Sequence, residues 1–98
     1  MKKYVIERKI DGVGRLNDRE LSGAAGTSNQ ALAKLAPKVQ WVHSYVTADR
    51  TFCIYLADDE SQIHEHARLS GFPATRVYEV VTMIDPTTES RDKLAQVA

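Results

Sequence analysis

"VQWVHSYVTADRTFCIYLA", residues 39–57, decides the fold of this chain. Two apolar runs, 39–47 and 51–57, are rich in β-branched and aromatic residues. They flank a short polar turn, the pattern of a β-hairpin. Reading Ala48-Asp49-Arg50 as a three-residue loop pairs Thr47 with Thr51, Tyr45 with Cys53 and His43 with Tyr55. Side chains alternate across a strand. That register therefore places Val42, Val46, Phe52, Ile54 and Leu56 on one face, expected beneath helices. Trp41, His43, Tyr45, Cys53 and Tyr55 share the other. A slip of one residue would mix the two sets.

Outward from the hairpin, "KYVIERKI" (3–10) is strand-like, with apolar residues in both alternating sets, as for a central strand covered on both faces. "DGVGRLN" turns. Asn17, with Glu20 three residues on, forms a capping box for a first helix. Leu21, Ala24, Ala25, Ser28, Ala31, Leu32 and Leu35 follow at helical spacing, and Pro37 ends the run. The glycines and alanines of its middle predict a close approach to a sheet. After the hairpin, Asp58 or Asp59 caps a second helix, with Ile63, Ala67 and Ser70 inward and His66 beside them. Gly71 suits the left-handed position past its end, and Pro73 prevents continuation. "TRVYEVVTMI" (75–84) reads as the last strand.

The order β-α-β-β-α-β is that of the ferredoxin-like α+β fold. It predicts a four-stranded antiparallel sheet in the order 4-1-3-2, with two helices on one face. Residues 1–86 form the single domain, and 87–98 a polar tail. The open face would carry Trp41, Tyr45, Tyr55, Val81 and Met83. Such an apolar surface predicts a twofold homodimer packed sheet to sheet.

The chain has 98 residues, 43% of them hydrophobic and 27% charged, and its formal net charge is zero. That balance fits one modest globular core. It offers no electrostatic footprint for nucleic acid or an anionic membrane. No apolar run approaches a membrane span, and charges at Glu7 and Arg8 interrupt any signal-peptide core. One cysteine, Cys53, forbids an intrachain disulfide. A cytoplasmic protein is expected.

The expected open face gathers candidates for chemistry. His43 and Cys53 are diagonal neighbours in that register, with Cβ atoms about 7–8 Å apart. Glu7 and Glu79 are expected on the same side. Imidazole, thiolate and carboxylate are ligands for zinc or nickel, although no tight paired-ligand spacing accompanies them. His43, Tyr45, Tyr55 and Glu7 would equally line an acid–base pocket, and a half-buried packing role is open to all of them. In "HEH" (64–66), the two histidines point nearly opposite ways on a helix: His64 outward, His66 toward the sheet edge. No nucleophile stands next to a base, which weighs against an enzyme.

"YVIER", "VHSYVTADRTFCIYLADDE", "EHARLSGFP" and "YEVVTMIDPTT" together resemble a bacterial family of small ferredoxin-like domains of unknown function that includes a nickel-binding protein. The resemblance spans nearly the whole chain and is weakest in the first helix. It implies a ferredoxin-like protomer, dimerisation and a divalent-metal site. His43 and Cys53 sit in the matching hairpin. Histidines of the nickel-binding branch in the first strand and in the Gly-x-Pro turn are replaced here by Glu7-Arg8 and Phe72. The implied ligands are then His43, Cys53 and Glu7, with His66 leaning in. Three readings follow: a nickel- or zinc-binding dimer, a dimeric enzyme or small-molecule binder with a pocket at Tyr45, Tyr55 and Glu79, and an interaction module without ligand.

Overall fold

The computed structural model describes residues 1–92. Strands β1 (Lys2–Lys9), β2 (Val39–Val46), β3 (Arg50–Ala57) and β4 (Arg76–Glu79) alternate with helices α1 (Asp18–Leu35) and α2 (Glu60–Ser70). The sheet is antiparallel throughout, in the order β2-β3-β1-β4. This is the expected ferredoxin-like α+β arrangement. A 3-10 turn at Val13–Arg15 precedes α1, and another at Pro86–Ser90 follows the sheet. Of the expected polar tail, 93–98 lie outside the described residues.

Local chemistry sets both helix ends. The Asn17 side chain accepts from the Glu20 amide at 2.9 Å, and the Glu20 carboxylate accepts from the Asn17 amide at 3.1 Å. Asp59 caps α2 by accepting from the Ser61 amide at 2.7 Å. Gly71, at φ 79°, closes α2 in the left-handed conformation and donates to the Ala67 carbonyl at 2.9 Å. Glycine takes that φ without the Cβ clash of other residues.

Two expectations about the strands fail. The fourth strand pairs only over Arg76–Glu79, shorter than the expected 75–84. The Val80 amide still donates to the Lys3 carbonyl at 2.8 Å. Beyond it Val81, Met83 and Ile84 are exposed.

The hairpin register also differs. The turn holds two residues, Ala48 and Asp49, because the Thr47 amide and hydroxyl both donate to the Arg50 carbonyl, each at 2.8 Å. Val46 therefore faces Thr51, Tyr45 faces Phe52, and His43 faces Ile54. A bulge between Trp41 and His43 inserts Val42 and pairs Trp41 with Tyr55, where His43 was expected.

The consequence is an exchange of faces. Tyr4, Ile6, Cys53, Tyr55 and Ala57 are buried with Ile63 of α2 in the core, and Trp41 packs against them. Phe52, Ile54 and Leu56, expected under the helices, alternate to the open face. Thus Trp41, Cys53 and Tyr55 leave the group to which they were assigned, and His43 and Tyr45 keep it.

Candidate functional site

The seven residues singled out in the sequence divide between the two faces of the sheet. His43 and Tyr45 lie on the open face, their rings in edge contact at 5.0 Å between centroids. Glu7 is on that face too, between Phe52 and Arg76 in the pairing, and accepts from Arg50 Nη1 at 2.7 Å. Cys53 and Tyr55 are buried on the helix face. Glu79 sits opposite Tyr4, on the helix side at the sheet edge, and pairs with Lys2 at 3.5 Å. His66 projects from α2 into the core and is 1% exposed.

His43 and Cys53 therefore look away from each other through the sheet, and they cannot share an ion. Glu7 is committed to Arg50. His66 is on the side opposite His43, so it does not supply the missing ligand. Among the described residues, no group of three or more His, Cys, Asp or Glu side chains is placed to hold a metal. The donors expected for nickel or zinc do not fit one within a single chain. His64 is exposed, as expected, and meets Glu60 Oε2 at 3.2 Å.

What the fold does assemble lies beneath α1. Its inner stripe of Ala24, Ala25 and Ser28 is too small to fill the space above the sheet. These small residues leave a gap rather than the close helix–sheet contact expected. The gap is a cavity of about 280 Å³, partly open, with Trp41, Cys53 and Tyr55 on its floor and Val13, Leu16 and Leu21 at its sides. The bulge contributes directly. It turns both Trp41 and Ser44 inward, and Trp41 Nε1 donates to Ser44 Oγ at 2.9 Å.

Polar groups enter this apolar space at one end. Tyr55 Oη lies 3.2 Å from Ser28 Oγ, which lies 3.2 Å from His66 Nε2. The Tyr55 and His66 rings are in contact, 4.9 Å between centroids. Burial, and then the Arg8 charge, push the His66 pKa from 6.5 down to about 4, against an opposing hydrogen bond that the imidazole donates to the Ser28 backbone. The imidazole is neutral at pH 7. Burial raises the Tyr55 pKa, opposed by its hydrogen bond to Ser28, by the Arg8 charge and by a hydrogen bond from Arg8.

Arg8 is the residue that the sequence reading missed as a site. It is 2% exposed, on the inner face with Tyr4 and Ile6. Nη1 donates to the Pro73 carbonyl at 2.8 Å and more weakly to that of Phe72 at 3.4 Å, and the guanidinium lies 6.0 Å over the Phe72 ring. Nη2 is buried without an acceptor among the described residues, as is His66 Nδ1. The signal was present in the spacing: 4, 6 and 8 share a strand face, and Arg8 interrupts an otherwise buried series.

Comparison with known proteins places this geometry in a family. The profile of the family described as "Nickel responsive protein SCO4226-like" matches residues 4–80. The crystal structure of SCO4226 from Streptomyces coelicolor A3(2) superposes with a TM-score of 0.70 at 10% sequence identity, over 84% of this chain and 99% of that one. At that identity the superposition establishes the fold. A search of curated proteins finds no match. No helix among the described residues is long and apolar enough to cross a membrane. With the profile spanning most of the sequence, the chain belongs to the SCO4226-like nickel-responsive family.

Proposed function

We propose that this protein is a cytoplasmic small-molecule-binding member of its family, and that the ligand occupies the cavity between α1 and the sheet. The single observation behind the reading is a partly open, mainly apolar space with convergent polar groups at one end. Its volume, about 280 Å³, is near the lower bound of small-molecule sites. A packed core at normal density leaves few voids larger than a water molecule. The binding function does not require a reaction. Trp41, the only tryptophan, lies in the cavity wall and reports occupancy by its fluorescence. Titration with the neutral dye Nile red is expected to saturate at one dye per chain, with quenching of Trp41. Ala24→Leu fills the space and is expected to weaken binding more than tenfold, with the circular dichroism unchanged. Equal binding by the two proteins refutes the assignment.

A second reading concerns the open face. Val42, Tyr45, Val81 and Met83 are exposed there or beside it, and a second partly open pocket of about 280 Å³ lies between His43, Tyr45 and the 80–83 segment. A second copy of the chain, packed sheet to sheet, would cover this apolar surface. Two copies would also bring two His43 imidazoles near one axis, which one chain does not do. The family's description as nickel responsive supports testing that pair. Sedimentation at micromolar concentration should give a dimer, and nickel titration should release heat that His43→Ala abolishes. A monomer, or equal heat with the variant, removes this reading.

A further inference from the structure

We propose that the cavity beneath α1 takes an apolar monocarboxylate, with its head group held by Arg8 Nη2 and the Tyr55 hydroxyl. The proposal rests on the cavity being a ligand site and names the class of ligand.

The first observation is an uncompensated charge. A guanidinium keeps its proton in proteins. Burying it without an anion is costly, since carbonyl acceptors replace only part of its hydration. Arg8 is nearly inaccessible, and no carboxylate among the described residues forms an ion pair with it. The Phe72 and Pro73 carbonyls and the Phe72 ring occupy part of the guanidinium. Nη2 has no acceptor in hydrogen-bond geometry among the described residues; Arg8 acts on the neighbouring Tyr55 hydroxyl by its charge and a hydrogen bond, and both residues are part of the cavity wall. A buried donor on a charged group, at the polar end of an apolar cavity, calls for an anionic acceptor.

The second observation is the direction of the hydrogen-bond series. Two proton arrangements satisfy the Tyr55–Ser28–His66 distances. If Tyr55 donates to Ser28 and Ser28 donates to His66 Nε2, the neutral imidazole carries its proton on Nδ1. That leaves a buried N–H without an acceptor. In the reverse arrangement His66 Nε2 donates to Ser28, Ser28 donates to Tyr55, and the bare Nδ1 is an unused acceptor. Each arrangement leaves one buried donor unmet among the described residues: His66 Nδ1–H in the first, the Tyr55 O–H in the second. Tyr55 lines the cavity and His66 does not, so only in the second can an anion bound in the cavity satisfy that donor. Arg8 and Tyr55 then present two donors to one anion.

The rest of the wall sets the remaining chemistry. Val13, Leu16, Leu21, Ala25 and Trp41 supply an apolar enclosure for a hydrocarbon body. With one cation and otherwise neutral donors, the site neutralises one negative charge. A carboxylate meets that requirement; a phosphate dianion would leave a buried charge unmatched. Nη1 is already used by Pro73, so the carboxylate engages Arg8 through one nitrogen, its second oxygen facing Tyr55.

Octanoate and 1-octanol share a chain and differ in the charged head, so calorimetric titration of the full-length protein at pH 7.5 separates the terms. Octanoate is expected to bind about tenfold to a hundredfold more tightly than octanol, the range for one charge-assisted hydrogen bond. Arg8→Met keeps an unbranched side chain and removes the charge; it should abolish the preference while retaining octanol binding. Tyr55→Phe should reduce the preference in part. Equal affinity of the wild-type protein for the two ligands overturns the carboxylate assignment and leaves the cavity reading intact. Octanoate preference surviving in Arg8→Met overturns it too, by placing the anion elsewhere. Inorganic phosphate displacing octanoate at equal concentration rejects the monocarboxylate class. If neither chain binds, the cavity reading itself falls. The comparison of the two ligands needs no variant, so it holds even if Arg8→Met fails to fold.

Discussion

Acid should destabilise this protein through His66. The imidazole is 1% exposed, packed between Tyr55 of β3 and Ser28 of α1, with the Arg8 charge acting on it from β1. Its pKa falls from 6.5 to about 4 in the folded chain. In the unfolded chain His66 is protonated below its ordinary value, while in the folded chain it stays neutral to about 4. The unfolded state therefore binds more protons throughout that window, so stability falls as pH falls. Above pH 6.5 the term vanishes; below pH 4 it has reached its full size. The separation of the two pKa values corresponds to about 3 kcal/mol, using about 1.4 kcal/mol per unit. Urea unfolding of the wild-type protein and His66→Gln between pH 7.5 and 4 measures it. Glutamine does not titrate and keeps a hydrogen-bonding group toward Ser28. The difference in unfolding free energy between the two proteins should shift by about 3 kcal/mol in the variant's favour on acidification. The depressed carboxylates at Asp49, Asp59, Glu65 and Asp85 are common to both proteins and cancel in that difference. Parallel curves for the two proteins would refute the assignment of a neutral, buried imidazole.

Other positions test the fold more directly. A Cβ on Gly14 would lie 2.7 Å from both Ala48 Cα and the Thr47 carbonyl oxygen. These are backbone atoms, so Gly14→Ala should cost about 1–3 kcal/mol and lower the melting temperature; an unchanged melt would mean that the 3-10 turn does not sit against the hairpin. Gly71→Ala meets no neighbour but places alanine at φ 79°. It should cost about 1 kcal/mol, with Gly71→Asn milder, and equal loss by both variants would argue against a left-handed cap. Glu7→Gln breaks the 2.7 Å pair with Arg50. That pair is partly solvated, so the loss should stay near or below about 1 kcal/mol and shrink in high salt, as read by chemical denaturation.

The parts of this molecule written in local signals were legible in the sequence. The Asn17–Glu20 box, the Asp59 cap and Gly71 each depend on a few neighbouring residues, and each is formed. The strand order followed from the succession of elements. The face of each hairpin residue was not legible, because both alternating sets of β3 are apolar: Phe52, Ile54 and Leu56 against Cys53, Tyr55 and Ala57. Hydrophobicity does not choose between them. The choice was made by the Thr47–Arg50 closure, one residue shorter than expected, and by the Val42 bulge. Bulges leave little compositional trace at a residue such as valine. The site was half legible for the same reason. Tyr55 and His66 were singled out, yet they were assigned to a metal or to the wrong face, while Arg8 was read as an interruption. A charge in a strand gives no sign of whether it is solvated or enclosed.

The bulge also divides the side chains of β2 between two surfaces, and no three metal-ligating side chains converge among the described residues. With Val42 regularly paired, Trp41 and His43 would share one face by simple alternation. With Val42 inserted, Trp41 turns inward to the cavity and His43 turns outward, two positions away along the same strand. β2 thus serves two surfaces of different chemistry. Inside are an indole, a thiol, a phenol and an uncompensated guanidinium. Outside are an imidazole and exposed aliphatic side chains. A divalent cation is disfavoured inside by Arg8, and an anion outside lacks a buried donor. The proposed nickel pairing at His43 and the proposed ligand in the inner cavity therefore lie on the two sides of one sheet and are tested separately. His43 is the residue on β2 whose substitution probes the outer side without touching the inner wall.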